Sequence, residues 1–517
     1  MASVSAIRLR TALPLSATDA RVAVVTVISV LVSFGATFAL DQVADFGASS
    51  LVLAVVLTLT LGRSAQRNGL RERMLSFFIL PAVAIVAGGV GGLMLHHAWI
   101  GDALFVVALS GAIWVRRFGT RWTRIGTIAS LPFIAMLVAP APVRADGSTN
   151  WVATAVVGMI AFVTVNGVQF IAERIGYLAS VERPRHEDAS GSSRSATSRF
   201  AASTRMALQM AVSLGIAFLA GHLLFGVHWP WMVLTVYIVQ SGNRGRGDVV
   251  YKGIQRLAGA LLGTLAATVI AGSFAPGDRT AIVLIFAIII IATFLRHVSY
   301  AWWAGGVTAS LALLYGFFGE SGDSLVETRL AAIVLGAVLA VGVSWLLLPI
   351  RTTDVLRLRT AHVLATLSDF LGALRTDPAS LAQQQERFSR AVAELERLAP
   401  PLEAHHRWQR IRQSHSPFFV PVQAIRRSAD AVERIVHLAT VDPRQMERAE
   451  TSRMTGLVAA NVGLLRKSIR TRVTPTFRST PEQSGTPLAD ALRDLDASLP
   501  ALAAFLAPNA PDEMTAA

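Results

Sequence analysis

The sequence of 517 residues contains no cysteine. A disulfide framework, a thiolate nucleophile and a Cys-ligated metal site are all excluded by that absence. Lysine is nearly absent too, occurring only at Lys252 and Lys467 among many arginines. The bias suits a GC-rich bacterial genome, so an arginine by itself signals little. Charge of any sign is scarce, at 15% of residues against 53% hydrophobic. A soluble chain of this length would carry far more charge on its surface. The first twenty residues lack the apolar core and small-residue cleavage site of a signal peptide, so the first apolar run, Val22 to Leu40, is expected to stay as an anchor. No Walker A sequence, catalytic triad or paired-carboxylate site is apparent, so neither ATP nor another cofactor is expected, and enzymatic chemistry is not. The net charge of +14 comes without any RNA- or DNA-binding motif, which argues against nucleic acid as a partner.

What the chain does have is apolar runs of membrane-spanning size, and a mean hydropathy of +0.51. Twelve spans are expected, near 21–40, 47–61, 75–95, 99–115, 125–141 and 151–171, then 206–225, 227–241, 254–274, 279–295, 301–318 and 330–349. The loops between them alternate in charge. One side holds Arg63, Arg67, Arg71, Arg73, Arg116, Arg117, Arg121, Arg124, Arg244, Arg246, Lys252, Arg256 and Arg296. The other holds only Arg144, Arg279 and Arg329, among eight acidic residues that include Asp102, Asp146 and Glu327. The positive-inside rule places the basic loops and both termini in the cytoplasm of a bacterial inner membrane.

The halves repeat. Arg116 and Arg296, Trp122 and Trp302, and Ala129-Ser130-Leu131 and Ala309-Ser310-Leu311 all pair at an offset of 180. Six spans is an even number, so a tandem duplication gives two parallel copies related by an axis along the membrane normal. The expected fold is thus all-α: a polytopic membrane protein of two parallel six-helix transmembrane repeats with a C-terminal cytoplasmic helical bundle. Its divisions are a cytoplasmic segment (1–20), the first repeat (21–172), a Ser-rich linker (173–204), the second repeat (205–350), the helical domain (351–506) and a disordered tail (507–517). In the helical domain Val363, Leu367, Phe370, Leu371 and Leu374 share one face, as do Phe388, Val392, Leu395 and Leu398. Breaks are expected at Asp377-Pro378, Pro400-Pro401, Pro417 and Asp442-Pro443. The basic run Arg407, Arg410, Arg412, Arg426, Arg427 and Arg434 reads either as a solvated helix face or as a contact for the anionic cytoplasmic leaflet.

The second span of each half is short, about 15 residues against the roughly 20 a perpendicular crossing needs. Short segments at matching positions point to a binding site at membrane depth. The other reading extends each span into its flank and makes Trp229 and Trp231 interfacial belt residues. Arg244, Arg246 and Arg256 are candidate carboxylate ligands, or simply the basic face of a cytoplasmic loop. Gly259 and Gly263 form a GxxxG pair, whose usual role is close helix packing. Of the few polar residues within spans, Asn166, Gln169, Gln209, Tyr237, Gln240 and the adjacent Asn243 line a pathway or bridge helices. His222 and His228 flank one outer turn and are candidates for proton coupling, or ordinary interfacial polar residues. His96, His97 and Asp102 lack the spacing of a metal site, and no metal is expected.

Three blocks carry a family likeness. They are Trp229-Pro-Trp-Met-Val-Leu-Thr235, then Gly242-Asn-Arg-Gly245, then Arg256-Leu-Ala-Gly259-Ala-Leu-Leu-Gly263-Thr264. Together they resemble the signature of the fusaric acid resistance (FUSC-like) and aromatic acid exporter family. Ala260 departs from that pattern, where threonine is usual, and no proline follows Gln240. The resemblance implies efflux of small organic anions, aromatic carboxylates especially. The candidate substrate-pathway residues, read from the spans themselves, are Trp229, Trp231, Tyr237, Gln240, Asn243, Arg244, Arg256, Asn166 and Gln169. A passive organic-anion channel and a membrane scaffold with a cytoplasmic interaction domain are the alternatives. The partners expected are the lipid bilayer, a small organic anion and, with no residue to specify it, a further copy of the chain in a homo-oligomer.

Overall fold

The computed structural model describes residues 17–44, 46, 48–65, 70–138, 151–178, 202–271, 278–296, 298–317, 323–411, 419–471, 473–481 and 485–506. The terminal segment 1–16, most of the expected linker, the tail 507–517, and Arg67, Arg144, Asp146, Arg412 and Pro417 lie outside those residues. All regular structure among the described residues is helical.

Among the described residues twelve α-helices occupy the region of the twelve expected spans. They are α1 (Ala17–Ala44), α2 (Ala48–Ala65), α3 (Leu70–His96), α4 (Ala98–Trp114), α5 (Thr120–Val138) and α6 (Trp151–Arg174), then α7 (Ala202–Phe225), α8 (Pro230–Gln240), α9 (Arg246–Ala271), α10 (Arg279–Leu295), α11 (Tyr300–Phe317) and α12 (Asp323–Leu346). Six stretches among the described residues are long and apolar enough to cross a membrane: Asp19–Ala44, Ala98–Phe118, Val152–Arg174, Ala202–His228, Arg246–Ile270 and Glu327–Leu346. Among the shorter apolar helices, α8 has 11 residues and reaches about 16 Å at 1.5 Å per residue, half the thickness of a bilayer core. Pro230 opens it, where a missing N–H costs nothing, and it stops at Ser241 before Gly242, whose φ of +63° only glycine adopts freely.

The described residues form two compact units. In the first, Met1–Asn243 with Lys252–Pro349, the helices α1, α2 and α6 pack on one another, and so do α7, α8 and α12. Leu53, Leu57 and Leu61 of α2 share a core with Ile128 and Ala135 of α5 and Val157 and Val165 of α6. Across the halves α4 packs on α7, α1 on α10 and α5 on α8. The exterior is as apolar as the interior: Val107, Leu223, Val269, Val283 and Val338 are each more than 60% exposed. Water would disfavour that surface, and lipid chains suit it. The GxxxG pair has its packing role. A side-chain carbon at Gly259 would strike the Ala301 carbonyl of α11, and one at Gly263 the carbonyl of Gly305.

The second unit joins Arg244–Tyr251 to Ile350–Ala517. Its helices are α13 (Thr352–Thr376), α14 (Leu381–Glu396), α15 (Ala399–Ile411), α16 (Val420–Val441), α17 (Arg444–Glu447), α18 (Ala449–Thr471) and α19 (Pro487–Leu506). All nine apolar residues of the two expected faces are buried in one core with Ile435, Val458 and Leu495. Pro400 and Pro401 lie in the first turn of α15, where proline is tolerated, so the break falls ahead of them, at Arg397 and Leu398. In the basic run, Arg426 pairs with Glu396 and Glu403, and Arg434 with Asp494.

Candidate functional site

The turn from α7 into α8 brings aromatic and charged side chains together. Gly226, at φ +53°, starts a 3-10 turn through His228, and Gly221 leaves the room that lets Trp229 fold back against α7. The Trp229 ring lies 5.1 Å from both Phe218 and His222. His222 Nε2 is 2.9 Å from Oδ2 of Asp102, which comes from α4 in the other half. Asp102 is only 5% exposed, and its second oxygen, Oδ1, is buried without a hydrogen-bond donor. A carboxylate in that setting depends on its imidazole partner for compensation. Trp99 approaches the same imidazole at 6.5 Å.

One turn further along, Trp231 is buried, with His228 edge-on at 4.5 Å. The guanidinium of Arg329, from α12, stands over the Trp231 ring, 5.5 Å from its centroid. Arg329 is itself buried, a cation inside an apolar helical unit. Buried arginine beside tryptophan is a pairing that offers charge and a stacking face to a planar anion.

The other predicted residues take different places. Tyr237 faces Ser130 of α5 and Arg116. Gln240 donates to Ser213 Oγ at 2.6 Å and to the Ala340 carbonyl at 3.1 Å, so it bridges α8 to α7 and α12; its Oε1 is buried with no partner. Gln209 likewise caps the end of α12 through the Leu347 carbonyl. Asn166 donates to Phe162 in its own helix, and Gln169 is buried in α6. Asn243 is buried, as is Arg256, whose Nε has no hydrogen-bond partner. Arg244 belongs to the second unit, where its Nη1 donates to the Arg397 carbonyl; Arg246 N donates to the Ile350 carbonyl in the same unit. The cluster at the α7–α8 turn is therefore His222, His228, Trp229 and Trp231, with Asp102 and Arg329 as members that residue patterns alone did not tie to this turn. Arg329 did leave a trace, as one of three basic residues on the acid-rich side of the charge alternation. Asp102 stood out only beside His96 and His97 and on the acid-rich side, and nothing tied it to His222, 120 residues away in sequence. Among the described residues no three potential metal ligands converge.

Residues 212–343 match the family model described as fusaric acid resistance protein-like. That stretch runs from within α7 to within α12 and holds every member of the cluster except Asp102. No curated protein matches the chain. Apolar helices of crossing length and this match together point to a multi-pass membrane protein whose residues 212–343 are similar to the fusaric acid resistance protein-like family.

Proposed function

We propose that the chain is a secondary transporter that moves small organic acids, aromatic carboxylates foremost, out of a bacterial cell across the inner membrane. One observation carries the reading. Within the family region, a buried cation and a buried indole, Arg329 and Trp231, stand together among membrane-length helices. A carboxylate takes bidentate hydrogen bonds from a guanidinium, and its ring stacks on the indole.

The reading includes two parallel six-helix halves working by alternating access, a cytoplasmic bundle after Pro349, and both termini inside. What supports the duplication is the packing: α1, α2 and α6 associate as α7, α8 and α12 do. The cross-half pairs α1 on α10 and α4 on α7 also exchange when the halves are swapped. His222 with Asp102 then sits on a seam between halves, at the outer end of the site, where a protonation change acts on both.

The test is growth of a sensitive strain on fusaric acid and on benzoate. Trp231→Ala and Arg329→Gln should each lower the tolerated concentration severalfold at unchanged membrane abundance. Wild-type tolerance in both variants would remove the site from the proposal.

A further inference from the structure

The corner between α4 and α5 carries an aromatic and arginine patch that the transport reading does not use. Trp114 meets Phe118 edge to face, with centroids 5.4 Å apart, and Phe118 meets Trp122 of α5 at 6.3 Å. All three rings are open, at 37%, 53% and 48% exposed. The Arg117 guanidinium lies over the first two, 4.3 Å from the Trp114 centroid and 4.7 Å from that of Phe118. Rings on the face of a guanidinium leave its in-plane N–H groups directed outward, in the fork that suits a phosphate. Arg117 is exposed and pairs with no carboxylate among the described residues.

The surroundings are basic. Between Asp102 and Asp146 there is no acidic residue, while Arg116, Arg117, Arg121 and Arg124 all fall there. Arg121 is exposed beside Trp122. Three adjacent open rings would be a liability in water. The end of Ala98–Phe118, a helical stretch of membrane-crossing length, is where such rings are expected at the depth of lipid headgroups.

We infer that this corner is a binding site for one anionic phospholipid. Arg117 holds the phosphate, and Trp114, Phe118 and Trp122 pack against the glycerol and upper acyl region. A net negative headgroup is selected because a zwitterionic one brings its own cation against Arg117 and Arg121. The sequence contains its own contrast. The residues 180 positions later are Phe294, Val298, Ala301 and Trp302, so that corner keeps an indole but lacks the counterparts of Phe118 and Arg121.

Native mass spectrometry of the full chain in detergent, titrated with phosphatidylglycerol or phosphatidylcholine of matched acyl chains, tests this. Wild type should retain phosphatidylglycerol preferentially. Arg117→Gln should weaken that lipid about fivefold and leave phosphatidylcholine unchanged. Trp114→Leu should weaken both lipids, and Trp302→Leu neither. Equal retention of the two lipids by wild type, or undiminished selectivity in a folded Arg117→Gln, overturns the site. Should Arg117→Gln fail to fold, Arg121→Gln is read in the same way, and full selectivity there overturns it equally. A dimer lost in Arg117→Gln with lipid retention intact would assign the patch to a second copy of the chain, against the proposal.

Discussion

Single residues carry most of the charged chemistry, because few charged groups are buried among the described residues of the apolar unit, Asp102, Arg256 and Arg329 among them. Asp102 and His222 are the clearest pair. Each replaced singly, as Asp102→Asn or His222→Gln, strands the other, and the two losses should not add. A double-mutant cycle on melting temperature should show coupling on the order of 1–2 kcal/mol, small for a buried pair because His222 keeps 27% of its side chain open. Additive effects would mean the 2.9 Å contact contributes nothing. In the second unit Asp496 gives a pH-dependent case. Burial raises its carboxyl above the ordinary range, against the hydrogen bonds from Asn461 and Thr480. The stability Asp496 contributes is therefore fully present below its unfolded pKa and is lost as pH rises through the raised folded value. Asp496→Asn should flatten that part of the profile, so that the loss of melting temperature from pH 4 to pH 7 is smaller than in wild type. An unchanged slope would remove Asp496 as its source.

At the scale of helices, the close approach of α9 and α11 depends on glycine. A side chain at Gly259 meets the Ala301 carbonyl and the Ala304 methyl, neither of which can swing aside. Gly259→Val should cost about 1–3 kcal/mol, read as a lower melting temperature in detergent or as lost membrane abundance. Gly215, in the middle of α7, has open space where a side chain would go. Gly215→Ala should be neutral or stabilising by about 0.5–1 kcal/mol. Equal losses at both positions would point to a general intolerance of glycine replacement instead of a packing contact. The same scale explains why α8 is short yet well placed. Buried on most of its sides, it is pinned at one end by the Trp229 turn and at the other by the bridges of Gln240.

For the whole molecule the question is whether solute moves uphill. In proteoliposomes a transporter should accumulate labelled benzoate against its gradient while a proton gradient is imposed, and lose that accumulation when the gradient is collapsed. An ohmic, voltage-dependent current in planar bilayers without uphill movement would make the chain a channel. The second unit has a bearing on how the chain can be cut. Arg244–Tyr251 belongs to it, held by the bonds from Arg244 to Arg397 and from Arg246 to Ile350. Deleting 351–517 would strip those partners from Arg244–Tyr251, so it is more than the removal of an appendage.

Composition and period were enough, without coordinates, to place the helices. Apolar runs of 15 to 21 residues, charge that is sparse within them and the 3.6-residue faces of α13 and α14 are local properties, set by what lipid or a helical core accepts at each position. The family likeness was legible for the same reason, since its glycines, prolines and tryptophans lie within one short stretch. Which polar residues meet was not legible. Gln240 reads equally well as a pathway residue or a helix bridge until Ser213 and Ala340 are seen beside it. Arg244 reads equally as a carboxylate ligand or a basic loop residue until its bond to the Arg397 carbonyl is seen. Asp102 finds His222 only because α4 packs on α7, and Arg329 finds Trp231 only because α12 runs alongside α8. Contacts between distant segments depend on how whole helices pack, and local periodicity contains no record of that.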